Sequence, residues 1–205
     1  MRFGIINVGF GNISAITNQC EYMSISTKKI SLPDDITDDV THLILPGVGS
    51  YDYGMKQLRN NGMDEAIKHF GLHHQRPLLG ICLGMHLLGT KSDEGTSGGL
   101  GIIAGTVKKL ATAENRQLRL PHIGWRHLHI TKKAILFPDV NEKIRMYFTH
   151  SYHFVPKDMN TITSTTVYGE SFCASFEESN IIGVQFHPEK SHRYGTNLLK
   201  KFVQV

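Results

Sequence analysis

The sequence predicts a three-layer α/β domain, a mixed sheet with helices on both faces, and three observations carry that prediction. Apolar runs of strand length alternate with helical spacing from Phe3 to Leu88, the pattern of a parallel sheet whose strands are joined by crossover helices. Beyond Gly105 short strands follow one another with few helices between them, so the later strands are expected to be partly antiparallel. A chain of 205 residues, 40% hydrophobic, closes one generous core and need not split, so residues 1–205 are read as a single domain.

Phe3 to Val8 reads as a buried strand, followed by the Gly9-Phe-Gly11-Asn12 turn and a helix from about Ile13 to Met23. Ser26 to Ile30 is a second strand, and Thr41 to Leu45 a third, stopped by Pro46-Gly-Val-Gly49. Helical spacing resumes between Met55 and Phe70, with a break near Asn60-Asn61-Gly62. Pro77 to Cys82 is an apolar strand that runs directly into the helical residues Met85, Leu87 and Leu88. Strands are then expected at Gly105–Leu110, Arg126–Thr131, Ile144–Phe148, Ile162–Val167, Ser171–Phe176 and Ile181–Phe186. A closing helix over Tyr194–Val203 puts Leu198, Leu199 and Phe202 on one face,.

Composition excludes several classes of function. The net charge of +4 is spread over isolated lysine doublets, without the clustering that nucleic-acid binding requires. No apolar stretch approaches the length of a membrane span, and the first ten residues do not have the form of a signal peptide,. Three cysteines argue against a disulfide framework and for a reducing cytoplasm,. Gly9-Phe-Gly11 lacks the third glycine and the acidic partner of a dinucleotide loop, so no cofactor is assigned,. The spacing of His73, His74 and of the histidines from His122 to His129 gives no metal site,.

Two segments about a hundred residues apart carry the chemistry. In Gly80-Ile-Cys-Leu-Gly84, Cys82 sits where a strand ends and a helix begins, flanked by the small residues that a sharp turn needs,. Such an elbow exposes the sulfur at the positive end of the helix and frees the Leu83 N–H to face a developing oxyanion. The competing reading is a buried structural cysteine, and the elbow alone does not separate the two. In Gln185-Phe-His-Pro-Glu-Lys190, Pro188 keeps His187 extended, which would place Glu189 beside the imidazole to orient it,. His-Pro-Glu alone is a weak signal; paired with the elbow, it makes an acyl-transfer site the better reading. Pro46-Gly-Val-Gly49 is either an ordinary glycine turn or a peptide able to turn its N–H toward a ligand,.

Together with Pro121-His-Ile-Gly-Trp125, Tyr147-Phe-Thr-His-Ser-Tyr152 and His187-Pro-Glu-Lys-Ser191, these segments make the chain resemble the class I (triad) glutamine amidotransferases nearly end to end. The resemblance is closest to the glutaminase subunits of imidazole glycerol phosphate synthase. It implies a flavodoxin-like sheet and hydrolysis of glutamine to glutamate. It also implies delivery of ammonia to a (β/α)8-barrel cyclase partner in a heterodimer of histidine biosynthesis. Carried over by position, Cys82 is the nucleophile, His187 the base and then acid, and Glu189 its orienter. The N–H groups of Val48 and Leu83 form the oxyanion hole, the former after a peptide flip controlled by the partner. Gly49, Ser151 and Tyr152 hold the substrate glutamine, and Trp125 faces the partner. Read as a lone tryptophan, Trp125 fits a core position equally well.

The chain departs from the pattern at three positions. His86 stands where these relatives usually carry glutamine in contact with the substrate, Arg126 replaces a common asparagine, and Val8 a usual tyrosine. Four residues along a helix return to the same face, so His86 is expected to look toward Cys82 and to bind substrate. Its titration near pH ~6.5 would then change glutamine affinity. The departures leave room for a paralogous glutaminase that supplies ammonia to another synthase, for example one that aminates a surface sugar. A non-catalytic subunit that only stabilises its partner is the third alternative.

Overall fold

The computed structural model describes residues 1–111 and 118–205. The first apolar run forms β1 (Arg2–Ile6), and the glycine turn after it delivers the chain into α1 (Ile13–Tyr22). β2 (Ser26–Ile30) and β3 (His42–Leu45) lie on either side of β1, both parallel to it. The helical stretch is two helices, α2 (Tyr51–Asn60) and α3 (Met63–Lys68), separated at Gly62, whose φ of 73° no helix interior accommodates,. β4 (Leu78–Ile81) pairs parallel with β3 and runs into the short helix α4 (Leu83–Leu87).

The second half supplies β5 (Lys91–Ser92), β6 (Gly105–Lys109), β7 (His122–His127), β8 (His129–Ile130), β9 (Arg145–His150) and β10 (Tyr152–Pro156). β11 (Ile162–Tyr168), β12 (Glu170–Glu178), β13 (Ile181–Val184) and α5 (His192–Phe202) complete it. The main sheet has the order β2-β1-β3-β4-β13-β12-β11-β8. Its first five strands are parallel and the rest antiparallel, the mixed sheet that the sequence predicts.

The side-chain alternation of the strands divides the interior into two cores, one on each face of the sheet. Leu43, Leu45, Leu78 and Ile181 point to the face covered by α2, α3 and α4, through Tyr51, Met55, Leu58, Ile67 and Met85. Phe3, Ile5, Ile44, Leu79, Ile81, Ile182 and Val184 point to the other, against Ile16 and Cys20 of α1 and Leu198, Leu199 and Phe202 of α5. Burial on both faces explains why these strands read as continuous apolar runs.

Two expectations need correction. The single strand expected over Arg126–Thr131 is two: β7 pairs with β9 outside the main sheet, and the chain changes sheets at Leu128 so that β8 can join β11. β10 lies outside the expected strands altogether. Its burial runs half-buried, buried, buried, half-buried, buried, so no two-residue period marks it. Among the described residues no helix is long and apolar enough to cross a membrane.

Candidate active site

Three parallel strands end side by side, and their C-terminal ends carry the three segments singled out above: residues 46–49 after β3, Cys82 after β4, and residues 185–189 after β13. This is the edge of an open α/β sheet where ligands bind. Cys82 takes φ 52° and ψ −110°, a strained conformation for any residue with a Cβ,. Its backbone N–H donates to the Val184 carbonyl at 2.8 Å, which ties the elbow to β13. The thiol is 6% exposed, and its nearest acceptor is the Thr149 carbonyl oxygen at 3.9 Å. α4 has five residues, so the first-turn N–H groups, rather than a long macrodipole, supply positive potential at the sulfur.

Close packing at the elbow fixes where the 46–49 loop lies. A Cβ on Gly84 would fall on the carbonyl oxygen of Leu45, and one on Gly47 would sit 2.6 Å from Cβ of Leu83. The absence of both lets the loop after β3 rest on the first turn of α4, which brings residues 47–49 beside Leu83. Gly84→Ala is therefore expected to push the loop and the elbow apart. The outcome should be loss of any activity at Cys82 by roughly a hundredfold from misplaced groups and destabilisation by about 1–3 kcal/mol. Activity assays, with melting curves alongside, check both numbers.

His187 and Glu189 are brought together, though not by an extended segment. Pro188–Lys190 forms one turn of 3-10 helix, and the imidazole Nδ1–H donates to Glu189 Oε1 at 2.8 Å with both side chains 1% exposed. Ser191 braces the turn: its hydroxyl donates to the His187 carbonyl at 2.7 Å and accepts from the Tyr147 N–H at 3.0 Å. Burial pulls the His187 pKa down, but the charge of Cys82, contact with its sulfur and the Glu189 carboxylate outweigh burial and raise it. Among the described residues Nε2 meets no acceptor with hydrogen-bond geometry, so its coupling to Cys82 is one of charge and proximity. That arrangement favours the imidazolium form of His187,.

A cavity of about 410 Å³ opens over the sulfur, lined by Val48, Gly49, Cys82, Leu83, His86 and Glu94 on one side and by Thr149, His150, Ser151 and Tyr152 on the other. Every sequence-derived substrate residue therefore meets the same space. Ser151 and Tyr152 arrive there because the chain passes from β9 to β10 across the cavity mouth. Val48 is 41% exposed, and Gly49 has φ 114° with nothing within 4 Å of a Cβ added there. The middle of the loop thus has free space on the cavity side.

His86 differs from expectation. It lines the cavity, but its Nε2 is bonded to Gln185 Oε1 at 2.7 Å and the residue is 4% exposed. Burial pushes its pKa down to about 4, against a smaller upward pull from Gln185. The site thus shifts the titration below the pH ~6.5 of a free imidazole, and His86 stays neutral through the neutral range,. Trp125 lies outside the cavity. It is a half-buried ring on a separate surface depression with Arg145, His192, Arg193 and Tyr194, stacked on His192 at a centroid distance of 5.5 Å. This overturns the core-filling alternative. Arg126 turns back to the Trp125 carbonyl at 3.1 Å and lies 5.4 Å over Tyr168.

Sequence reasoning missed Glu94 and His150 at the cavity and Gln185 behind the sulfur. Glu94 reaches it from the loop after β5, held by the Tyr51 N–H at 3.0 Å, and burial raises its pKa; no local pattern announces it. His150 donates from Nδ1 to the Tyr152 carbonyl at 2.8 Å, which leaves Nε2 to accept from His122 Nδ1 at 3.1 Å,. Gln185 is completely buried, with its amide Nε2 3.8 Å from the sulfur of Cys82. A signal for Gln185 existed, since the sequence predicts a strand through Phe186, on which residues two apart share a face, and Gln185 stands two before His187,.

Comparison with known proteins agrees with this geometry. A family model described as glutamine amidotransferase class-I matches residues 5–205. The chain is 36% identical to imidazole glycerol phosphate synthase subunit HisH 2 of Pseudomonas aeruginosa, over 98% of both chains. It is 41% identical to the protein of the same name from Methanococcus maripaludis, again over 98% of each. Among solved structures, PurLQS from Thermotoga maritima superposes with a TM-score of 0.77 at 21% identity, covering 99% of this chain and 97% of that one.

Proposed function

The chain belongs to the class I glutamine amidotransferase family, and we propose that it is the glutaminase subunit of an imidazole glycerol phosphate synthase. In this reading residues 1–205 are one cytoplasmic glutamine amidotransferase domain, and its partner is a (β/α)8-barrel cyclase that receives the ammonia for histidine biosynthesis. The observation that carries the reading is the cavity: Cys82 lies at its base, with the buried His187–Glu189 pair behind and the 46–49 loop beside.

The Cys82 thiolate attacks the side-chain amide carbon of glutamine. Negative charge moves to the amide oxygen, where the N–H groups of Leu83 and, once its peptide has turned, Val48 stabilise it. His187 gives its proton to the departing nitrogen, so ammonia leaves and a glutamyl thioester remains. A water molecule then loses a proton to His187 and attacks the thioester. Glutamate is released, and the thiolate–imidazolium pair is restored. Glu189 keeps Nδ1 protonated throughout, so that Nε2 faces the reaction.

Recognition of the rest of glutamine falls to Gly49, Ser151, Tyr152, His86 and Glu94. Glu94 is the carboxylate at the cavity wall, placed to take the α-ammonium, whose approach would offset the burial that raises its pKa. Glu94→Gln is expected to raise the Michaelis constant for glutamine by roughly tenfold or more, with a smaller change in turnover, because it removes a ground-state charge contact. Steady-state kinetics of the complex check this. Trp125, with Arg145 and His192 around it, is proposed to face the partner.

The test of the whole reading is reconstitution with the cyclase subunit of the same organism. Glutamine-dependent formation of imidazole glycerol phosphate supports it. Glutaminase activity only with a different synthase would move the chain to the paralogous role, and no activity with any partner would leave the non-catalytic one. The buried, paired His187 and Glu189 argue against the last, because a charged pair without work to do is costly to keep.

A further inference from the structure

We propose that Gln185 is a catalytic hydrogen-bond donor to the Cys82 thiolate, and that His86 is the positioning residue that fixes its amide the right way round. The proposal rests on the reading of Cys82 as the nucleophile. It assigns His86 a task other than the one its position on α4 suggests.

The argument starts from an ambiguity in any carboxamide. Gln185 has an oxygen that accepts and an NH2 that donates at nearly the same reach. With NH2 toward the sulfur it stabilises a thiolate; with the oxygen there it opposes one. Gln185 is completely buried, so no water decides between the two orientations. His86 decides. Its Nε2 lies 2.7 Å from Gln185 Oε1 and 3.8 Å separates Gln185 Nε2 from Cys82 Sγ. An imidazole that carries its proton on Nε2 can only donate there, so it holds the amide oxygen and turns the NH2 to the sulfur. Burial keeps His86 neutral, so its other nitrogen, Nδ1, carries a lone pair. A donor from bound glutamine at Nδ1 would favour the same tautomer, so substrate and thiolate stabilisation are linked through one ring.

Other charged and titratable groups surround this unit. His187 and Glu189 follow β13, Lys190 comes from the same turn, and Glu94 from the loop after β5. His150 on β9 and Tyr152 on β10 line the cavity, and His153 on β10 acts on His86 by charge. His150 also feels the charge of His86, so Gln185→Met, which leaves His86 in place, is the variant that isolates the donor.

The experiment is alkylation of Cys82 by iodoacetamide as a function of pH, in which the thiolate sulfur displaces iodide and a thioether forms. Burial pushes Cys20 and Cys173 up to about 12, so they do not compete below alkaline pH,. Gln185→Met keeps length and volume and removes the donor. The expected result is a midpoint moved up by about one pH unit, and an alkylation rate near neutral pH about tenfold lower. His86→Leu should produce part of that shift, because the freed amide samples both orientations. Either single variant strands a buried polar atom, so the double variant His86→Leu/Gln185→Met, which removes both partners, is the folded control; it should match Gln185→Met. A purely structural role would lower the melting temperature without moving the midpoint. Profiles of Gln185→Met and the double variant that superimpose on the parent chain overturn the proposal. Alkylation needs neither glutamine nor the partner, so failure of the relay is read separately from failure of the glutaminase assignment.

Discussion

Cys82→Ala is expected to abolish glutamine hydrolysis while synthesis supported by added ammonium salts continues in the complex. The Cys82 sulfur lines the cavity and acts by charge on His187, and removing a nucleophile with its acid–base partner in place costs a triad enzyme about a millionfold in turnover. The acceptor chemistry belongs to the partner and consumes ammonia from any source, so it does not need the thiol. Cys82 is small and 6% exposed, and alanine fits its space. The variant should therefore fold and dock. His187→Ala should behave alike in the glutamine reaction. The measurements are glutamate release and product formation, each with glutamine and with an ammonium salt. Loss of the ammonia-supported reaction in an intact complex would contradict the division of labour.

The isolated chain should hydrolyse glutamine slowly, with activation of roughly a hundred- to a thousandfold once partner and acceptor are both bound, the worth of one preorganised oxyanion donor. The loop geometry gives this expectation its physical basis. Gly47 is pinned against Leu83 and Gly84, whereas Gly49 has a φ of 114° and open space around it. The Val48 N–H lies in the Gly47–Val48 peptide, which turns through ψ of Gly47 and φ of Val48; the open space at Gly49 lets the chain beyond absorb that turn while Cα of Gly47 stays against the elbow. A partner that contacts this loop, where Val48 is 41% exposed, can then set whether the Val48 N–H faces the cavity. Turnover of the lone chain at saturating glutamine equal to that of the complex would remove the basis for a gate.

Much of this was legible in the chain because the signals were local. Gly80 and Gly84 around Cys82 announced a sharp strand-to-helix turn, and the turn is there at φ 52°. The alternation from β1 to α4 announced a parallel sheet, since strands buried on both faces must be apolar throughout,. The pairing of His187 with Glu189 was also expected, although a 3-10 turn rather than an extended segment brings them together. Strand β10 escaped because its burial follows the cavity side and the core without a two-residue period. The helical residues Met85, Leu87 and Leu88 announced α4 but not its length of five residues, which ends where the Leu88 carbonyl accepts from Ile102 and Ile103.

The sequence by itself set the expected fold class and marked Cys82, His187 and Glu189 as the candidate nucleophile, base and orienter, because these signals lie within a few positions of one another: glycines two residues either side of a cysteine, a proline after a histidine. Only the tertiary structure decided what His86 does. Residue spacing places it on the face of α4 toward Cys82, but whether it meets substrate or protein depends on Gln185, ninety-nine positions away. The same holds for Glu94, which reaches the cavity through a bond to Tyr51, and for Trp125, which lies on the surface rather than in the core. Burial and long-range contacts set protonation, orientation and exposure, and both arise when distant strands come together, so no local pattern records them.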